Sequence, residues 1–284
     1  MALTPKAALE HFDNVAEKYE PSTGGCTRNL AQAIIDLAQD RLPITASSTI
    51  LDNACGPGIV TDVLLKTPSI AAAKPEIHAV DGAANMVSIA RARFASHDNI
   101  HVKQTPGEDL SSFPDNHFTH SFTNLGIMFF DDVAKGAAEI HRTVKPGDSG
   151  VAVVTGWEQM GTLIVVRAVH AIVRPGDGPL TFPMPEKWLR PDYTERILRE
   201  AGFAEVEMSA VPVHWEMENS DTVFERLMEN FGKVFFDTLS EGERDKAKEA
   251  MGRVLPEWTE TFRRPDGTEA VGIPMKAIVA VCRK

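Results

Sequence analysis

Between Thr49 and Trp157 the hydrophobic rhythm of the chain switches repeatedly between two periods, and this alternation limits the fold more than any other feature. Apolar, β-branched runs at Thr49–Asn53, Glu76–Val80, Ile100–Gln104 and Phe118–Asn124, then "SGVAVVTGW", read as strands. Helical spacing fills the gaps at Ile59–Lys66, Asn85–Ala95 and "AKGAAEIHRTV". Successive βαβ units with right-handed crossovers imply an α/β fold, a doubly wound and mostly parallel sheet.

The flanks extend this plan. "ALEHFDNVAEKYE" and "NLAQAIIDLAQDRL" predict two helices before the first strand, and "STGG" at Ser22–Gly25 predicts a mobile turn between them, suited to a flap. After Trp157 a helical stretch runs into a Pro/Gly-rich loop, as expected of an insertion over the sheet. "RPDYTERILREAGF" returns to helix and "AEVEMSAVPVHWEM" to strand; Asp221–Arg253 predicts two amphipathic helices separated by "LSEGER", and "MKAIVAVCRK" a closing strand. One domain over 1–284 is expected. It divides into a flap at 1–42, a ligand-binding core at 43–157, and lid or substrate insertions at 158–185 and 218–272. Residues 186–217 and 273–284 complete the sheet.

With 284 residues, 43% of them hydrophobic, the chain can bury a sizeable core. Its formal charge of −11, with no Lys/Arg run, argues against a nucleic-acid partner and for a small molecule. No apolar run approaches membrane-spanning length, and the charged first twenty residues lack a signal-peptide core. Cys26, Cys55 and Cys282 are too far apart for a zinc motif, and the histidines show no HxxxH spacing. The expectation is a cytoplasmic protein, monomer or homodimer, with no metal.

The stretch "ILDNACGPG" concentrates the chemistry. It lies where doubly wound sheets bind ligands, at the carboxyl end of the first strand, and Gly56 and Gly58 allow close backbone approach ahead of a helix N-terminus. Asp52 would repel a pyrophosphate and suits a cationic ligand instead. Asp81 ends the second strand, where a carboxylate can accept hydrogen bonds from a ribose diol. Two strand-tip acids and a glycine turn point to a nucleoside with a positively charged tail, S-adenosylmethionine.

"ILDNACGPG", "AVDGAANMVSIARAR", "PGEDLSSFPDNHFTH" and "EIHRTVKPGDSGVAVVTGW" resemble the ordered motifs of class I S-adenosylmethionine-dependent methyltransferases, over about Phe12 to Trp157. "LDNACG" and "FDNVAEKYE" are similar to fungal small-molecule methyltransferases of the gliotoxin bis-thiomethyltransferase type. The resemblance implies a Rossmann-like seven-stranded sheet. It implies that Asp52, Ala54 and Gly56 surround the methionine end of the cofactor, that Asp81 holds the ribose, and that Met86 packs on adenine. Gly107, Glu108 and Asp109 would lie by the adenine edge, Asn124 and Leu125 by the transferring methyl, and Tyr19 would close over the methionine part. Ala54 replaces the first glycine of the family's GxGxG, which is tolerated if its φ stays negative. Pro106 stands where an acid often precedes the adenine segment.

Each residue also has a plainer reading: a tight turn for Gly56 and Gly58, a turn cap for Asp109, core filler for Met86. Cys55, beside a helix N-terminus, invites a nucleophile role, but no His or acid partner can be assigned to it. Phe12, Met128, Trp157, Phe182, Phe231 and Phe235 are the expected substrate pocket, and no catalytic base is assignable. The expected reaction is methyl transfer to a small, fairly apolar acceptor, thiol or hydroxyl, in secondary metabolism, driven mainly by alignment. Two other readings stay open. One is a cofactor-binding protein that catalyses another rearrangement or serves as a binding module; the other is a dinucleotide oxidoreductase, although "ACGPG" lacks the GxGxxG spacing.

Overall fold

The computed structural model describes residues 5–180, 184–217, 223, 224, 226, 227, 233–264 and 267–284. Among them, eight strands form one sheet: β1 (Thr49–Asn53), β2 (Glu76–Asp81), β3 (Ile100–Gln104), β4 (His120–Thr123), β5 (Val151–Met160), β6 (Glu205–Met217), β7 (Glu260–Arg263) and β8 (Glu269–Arg283). The order is β3-β2-β1-β4-β5-β8-β6, with β7 paired to β8 off this path. Strands β1 to β5 pair in parallel, and β8 runs against β5, β6 and β7. This is the doubly wound, mostly parallel sheet the alternation implies, with the chain reversing beside β1.

The helices are α1 (Pro5–Ser22), α2 (Cys26–Arg41), α3 (Ile59–Lys66), α4 (Pro68–Ala73), α5 (Ala84–Phe94), α6 (Val133–Thr143), α7 (Gly161–Val173), α8 (Pro191–Glu200), α9 (Lys233–Phe236) and α10 (Glu241–Val254). On one face α2 presents Leu30, Ala31, Ile34, Ile35 and Ala38 at helical spacing, all fully buried in a core shared with α3, α5, α7 and α10. Each such Leu or Ile contributes about 1.5–3 kcal/mol of apolar burial. On the other face Ile140 of α6 and Leu198 of α8 pack with Val154 and Ala280 of the sheet.

Three local readings change. The turn at Ser22–Gly25 is pinned, because Glu216 donates its N–H to the Gly24 carbonyl at 2.8 Å and the Trp215 indole donates to the Ser22 carbonyl at 3.0 Å. Gly24 and Gly25, at φ 52° and 75°, serve a close approach to β6 more than mobility. Helix α10 begins inside the expected separator "LSEGER", since Ser240 and Glu243 form a reciprocal capping box. The closing strand starts at Glu269, earlier than its apolar stretch, because β7 and β6 flank its first residues as ladders.

Candidate active site

At the carboxyl ends of β1, β2, β3 and β4 lies a cavity of about 360 Å³. Its floor is the β1–α3 turn. Cys55 donates its N–H to the Val80 carbonyl at 2.9 Å, tying that turn to β2. Ala54, Gly56 and Gly58 take φ values of 55°, 56° and 89°. A Cβ on Gly58 would lie 2.4 Å from the Phe94 ring, so this glycine lets α5 pack against the turn. The positive φ of Ala54 departs from the expectation of a negative one; the left-handed conformation costs a non-glycine residue roughly 1–2 kcal/mol. Leu125, also on the cavity, has φ 57°. Strain of this kind concentrates at ligand sites.

Asp81 faces the cavity and also builds it. One carboxylate oxygen accepts the Gly56 N–H and the other the Ala83 N–H, each at 2.8 Å. Burial raises its pKa, against the pull of these bonds. Asp52 behaves differently. Its Oδ2 accepts the Thr61 N–H at 3.1 Å and the Thr61 hydroxyl at 2.7 Å, inside the first turn of α3. The carboxyl does not line the cavity, its Oδ1 is buried without a partner, and burial pushes its pKa up to about 7.

The opposite wall is set by residues that sequence spacing does not connect. The Thr155 hydroxyl donates to Asn124 Oδ1 at 2.9 Å and accepts the Leu125 N–H at 2.8 Å, fixing the end of β4. Asn53 Nδ2 donates to the Gly107 carbonyl at 3.1 Å. The Phe130 ring occupies space that a Cβ on Gly107 or Gly136 would enter at 2.3 Å. Glu108 accepts the Asp131 N–H at 3.2 Å.

Helix α1 contributes Leu9, Phe12 and Tyr19 to the lining. Phe12 meets Tyr19 and Phe129 edge-on, at 6.0 and 4.8 Å between ring centroids. Asp13 accepts the Asn85 N–H at the start of α5 at 2.7 Å. Glu20 receives both Arg28 and Arg93, so the helix is docked along its length. Burial raises the Tyr19 phenol, with Cys26 and Asp81 adding to the effect, and keeps it a proton donor.

Of the residues singled out from sequence, Tyr19, Ala54, Gly56, Asp81, Met86, Gly107, Glu108, Asn124, Leu125 and Phe12 meet at this cavity. Asp52 and Asp109 do not, and Asp109 turns to the Ser111 N–H at 3.3 Å. Met128, Trp157 and Phe235 do not line this cavity: they are 7%, 9% and 3% exposed and pack within the two large apolar clusters. Phe182 and Phe231 lie outside the described residues. Cys55 is buried and does not line the cavity, and burial raises its thiol well above the ordinary value, against the thiolate form a nucleophile needs. Leu9, Gly82, Ala83, Pro106, Gly126, Phe129, Phe130 and Asp131 complete the lining. The signal for several of them was position, since they follow strand ends.

A methyltransferase-domain family profile matches residues 51–152. Methyltransferase ucsB of an Acremonium species is 30% identical over 74% of this chain and 73% of its own length. The acetylaranotin bis-thiomethyltransferase of Aspergillus terreus is 23% identical over 91% of this chain and 90% of its own. The crystal structure of the [4+2]-cyclase SpnF, 17% identical, covers 99% of this chain and 97% of its own with a TM-score of 0.58, a likeness of fold. The chain belongs to the class I S-adenosylmethionine-dependent methyltransferases, and S-adenosylmethionine is its cofactor. Among the described residues, no helix is long and apolar enough to cross a membrane.

Proposed function

We propose that this methyltransferase acts on a small, fairly apolar acceptor through a thiol or hydroxyl. The observation that carries the reading is the cavity's mixed lining, which combines polar groups at Asp81, Gly56 and Asn124 with the aromatic rings of Phe12, Phe129 and Phe130. The bis-thiomethyltransferase relative supports sulfur as the acceptor atom and secondary metabolism as the setting.

The lining fits the cofactor. Asp81 and the open face of Gly56 suit a ribose and a close-lying chain, Met86 and Ala83 offer an apolar surface to a base, and Asn124 borders the reacting end. When bound, S-adenosylmethionine supplies a methyl group activated by its sulfonium charge. The chain's part is then to align and to exclude water. Docked α1 contributes Leu9, Phe12 and Tyr19 to the wall, and the aromatic rings orient an apolar acceptor; such alignment can be worth about 7–11 kcal/mol in the best oriented systems. A thiol ionises near neutral pH and needs little help. A hydroxyl would need a base to take its proton.

The test is incubation with isotopically labelled cofactor and a panel of thiols and phenols, read by mass spectrometry. Label on small apolar thiols or phenols is expected. Tight cofactor binding without label on any acceptor would favour the reading of a protein that uses the cofactor for another rearrangement.

A further inference from the structure

A second cluster of chemistry lies at the far end of β2. Glu76 opens this strand and Asp81 ends it, so at about 3.3 Å per residue the two stand roughly 16 Å apart. Glu76 and His78 are two residues apart and leave the same face of the sheet. His101, on the edge strand β3, is the register partner of His78. Glu76 Oε1 lies 3.1 Å from His78 Nε2 and 3.6 Å from His101 Nε2. One ligand atom from each residue falls within 4.8 Å of the others.

We propose that Glu76, His78 and His101 form a site for one divalent transition-metal ion of the zinc, nickel or copper type, separate from the methyl-transfer cavity. With metal–ligand bonds of about 2.0–2.2 Å, neighbouring ligand atoms of a tetrahedral ion stand roughly 3.4 Å apart. The two measured separations bracket that figure. Two imidazoles and one carboxylate form a borderline-soft donor set, whereas magnesium and calcium select oxygen throughout.

The surroundings support a built site. The His78 ring is held edge-on by Phe113 and Phe118, at 5.3 and 5.7 Å between centroids, and His117 packs against it at 5.8 Å. Its side chain is 16% exposed, and those of Glu76 and His101 are 51% and 50% exposed. One ligand is therefore oriented by packing, while the other two leave an open path for the ion and a water molecule. A bound ion would clamp β3 to β2 at the edge of the sheet. The alternative is a hydrogen-bonded carboxylate–imidazole cluster that binds nothing.

Equilibrium dialysis and thermal unfolding of the untagged, full-length protein with zinc, and with magnesium as control, separate the two. Zinc should bind at one ion per chain and raise Tm; magnesium should do neither. His101→Ala and Glu76→Gln, both at exposed side chains, should leave the metal-free Tm nearly unchanged and weaken zinc binding about tenfold or more. No zinc binding by the native protein would overturn the site, as would unchanged zinc binding by the double variant. Neither readout depends on methyl transfer, so this result and that of the proposed function stand apart.

Discussion

Ala54 and Gly126 face each other at the cavity floor so closely that a Cβ on Gly126 would lie 2.5 Å from that of Ala54. Ala54 holds a left-handed φ of 55°, a conformation natural to glycine, and its methyl group fits only because residue 126 has none. Gly126→Ala should therefore destabilise the protein by about 1–3 kcal/mol through overpacking. Ala54→Gly in the same chain removes the clash and the backbone strain, restoring most of the loss. Denaturant unfolding of both single variants and the double variant measures this; simple additivity would show that the two residues do not share the space.

Asp81 holds the Gly56 and Ala83 amides while facing the cavity. Asp81→Ala should weaken binding of S-adenosylhomocysteine about 10- to 100-fold, since charge-assisted hydrogen bonds are each worth about 1.5–3 kcal/mol. Isothermal titration reads this directly. Unchanged affinity would remove Asp81 from the proposed site.

Phe129 and Trp157 should separate acceptor handling from stability. Phe129 lines the cavity against Phe12, so Phe129→Ala should raise the acceptor KM and leave cofactor affinity close to native. Trp157 is only 9% exposed and packs in the core, so Trp157→Ala should cost about 3–5 kcal/mol of stability. Steady-state kinetics beside chemical denaturation distinguishes them. A stable Trp157→Ala protein with altered acceptor choice would return that residue to the pocket.

Asp52 predicts a pH dependence of the ligand-free protein. Its native pKa is about 7 and its ordinary value 3.8. Between those two values the native state holds a proton that the unfolded chain has lost, so this carboxyl makes stability fall as pH rises through the window. Asp52→Asn keeps an oxygen for Thr61 and removes the titration. Its stability relative to native should improve from pH 4 to pH 8 by roughly 4 kcal/mol. Thermal unfolding across that range checks it; a constant difference would mean Asp52 does not titrate there.

Much of the fold was legible because strand and helix periods are local properties. Apart from the short helix α4, the order of strands and helices from Thr49 to Trp157, and the glycine turn at the end of β1, follow from runs of a few residues. The capping box that starts α10 was equally local, yet its apolar pattern drew attention to the wrong boundary. Strand β7 has four residues, all at least partly exposed, and owes its conformation to the ladder with β8.

The sequence by itself determined the strand-tip positions, and hence that Asp81, Gly56, Asn124 and their neighbours meet at one end of the sheet. Only the tertiary structure decided where side chains turn once there. Asp52 points into α3 because the Thr61 amide and hydroxyl are its nearest donors, and Trp157 packs inward because its strand continues beyond the cavity to Met160. Glu76, His78 and His101 come together through strand register. The physical reason is range: periodicity and turn chemistry act between sequence neighbours, whereas packing and cross-strand pairing join residues whose separation along the chain carries no trace of their contact.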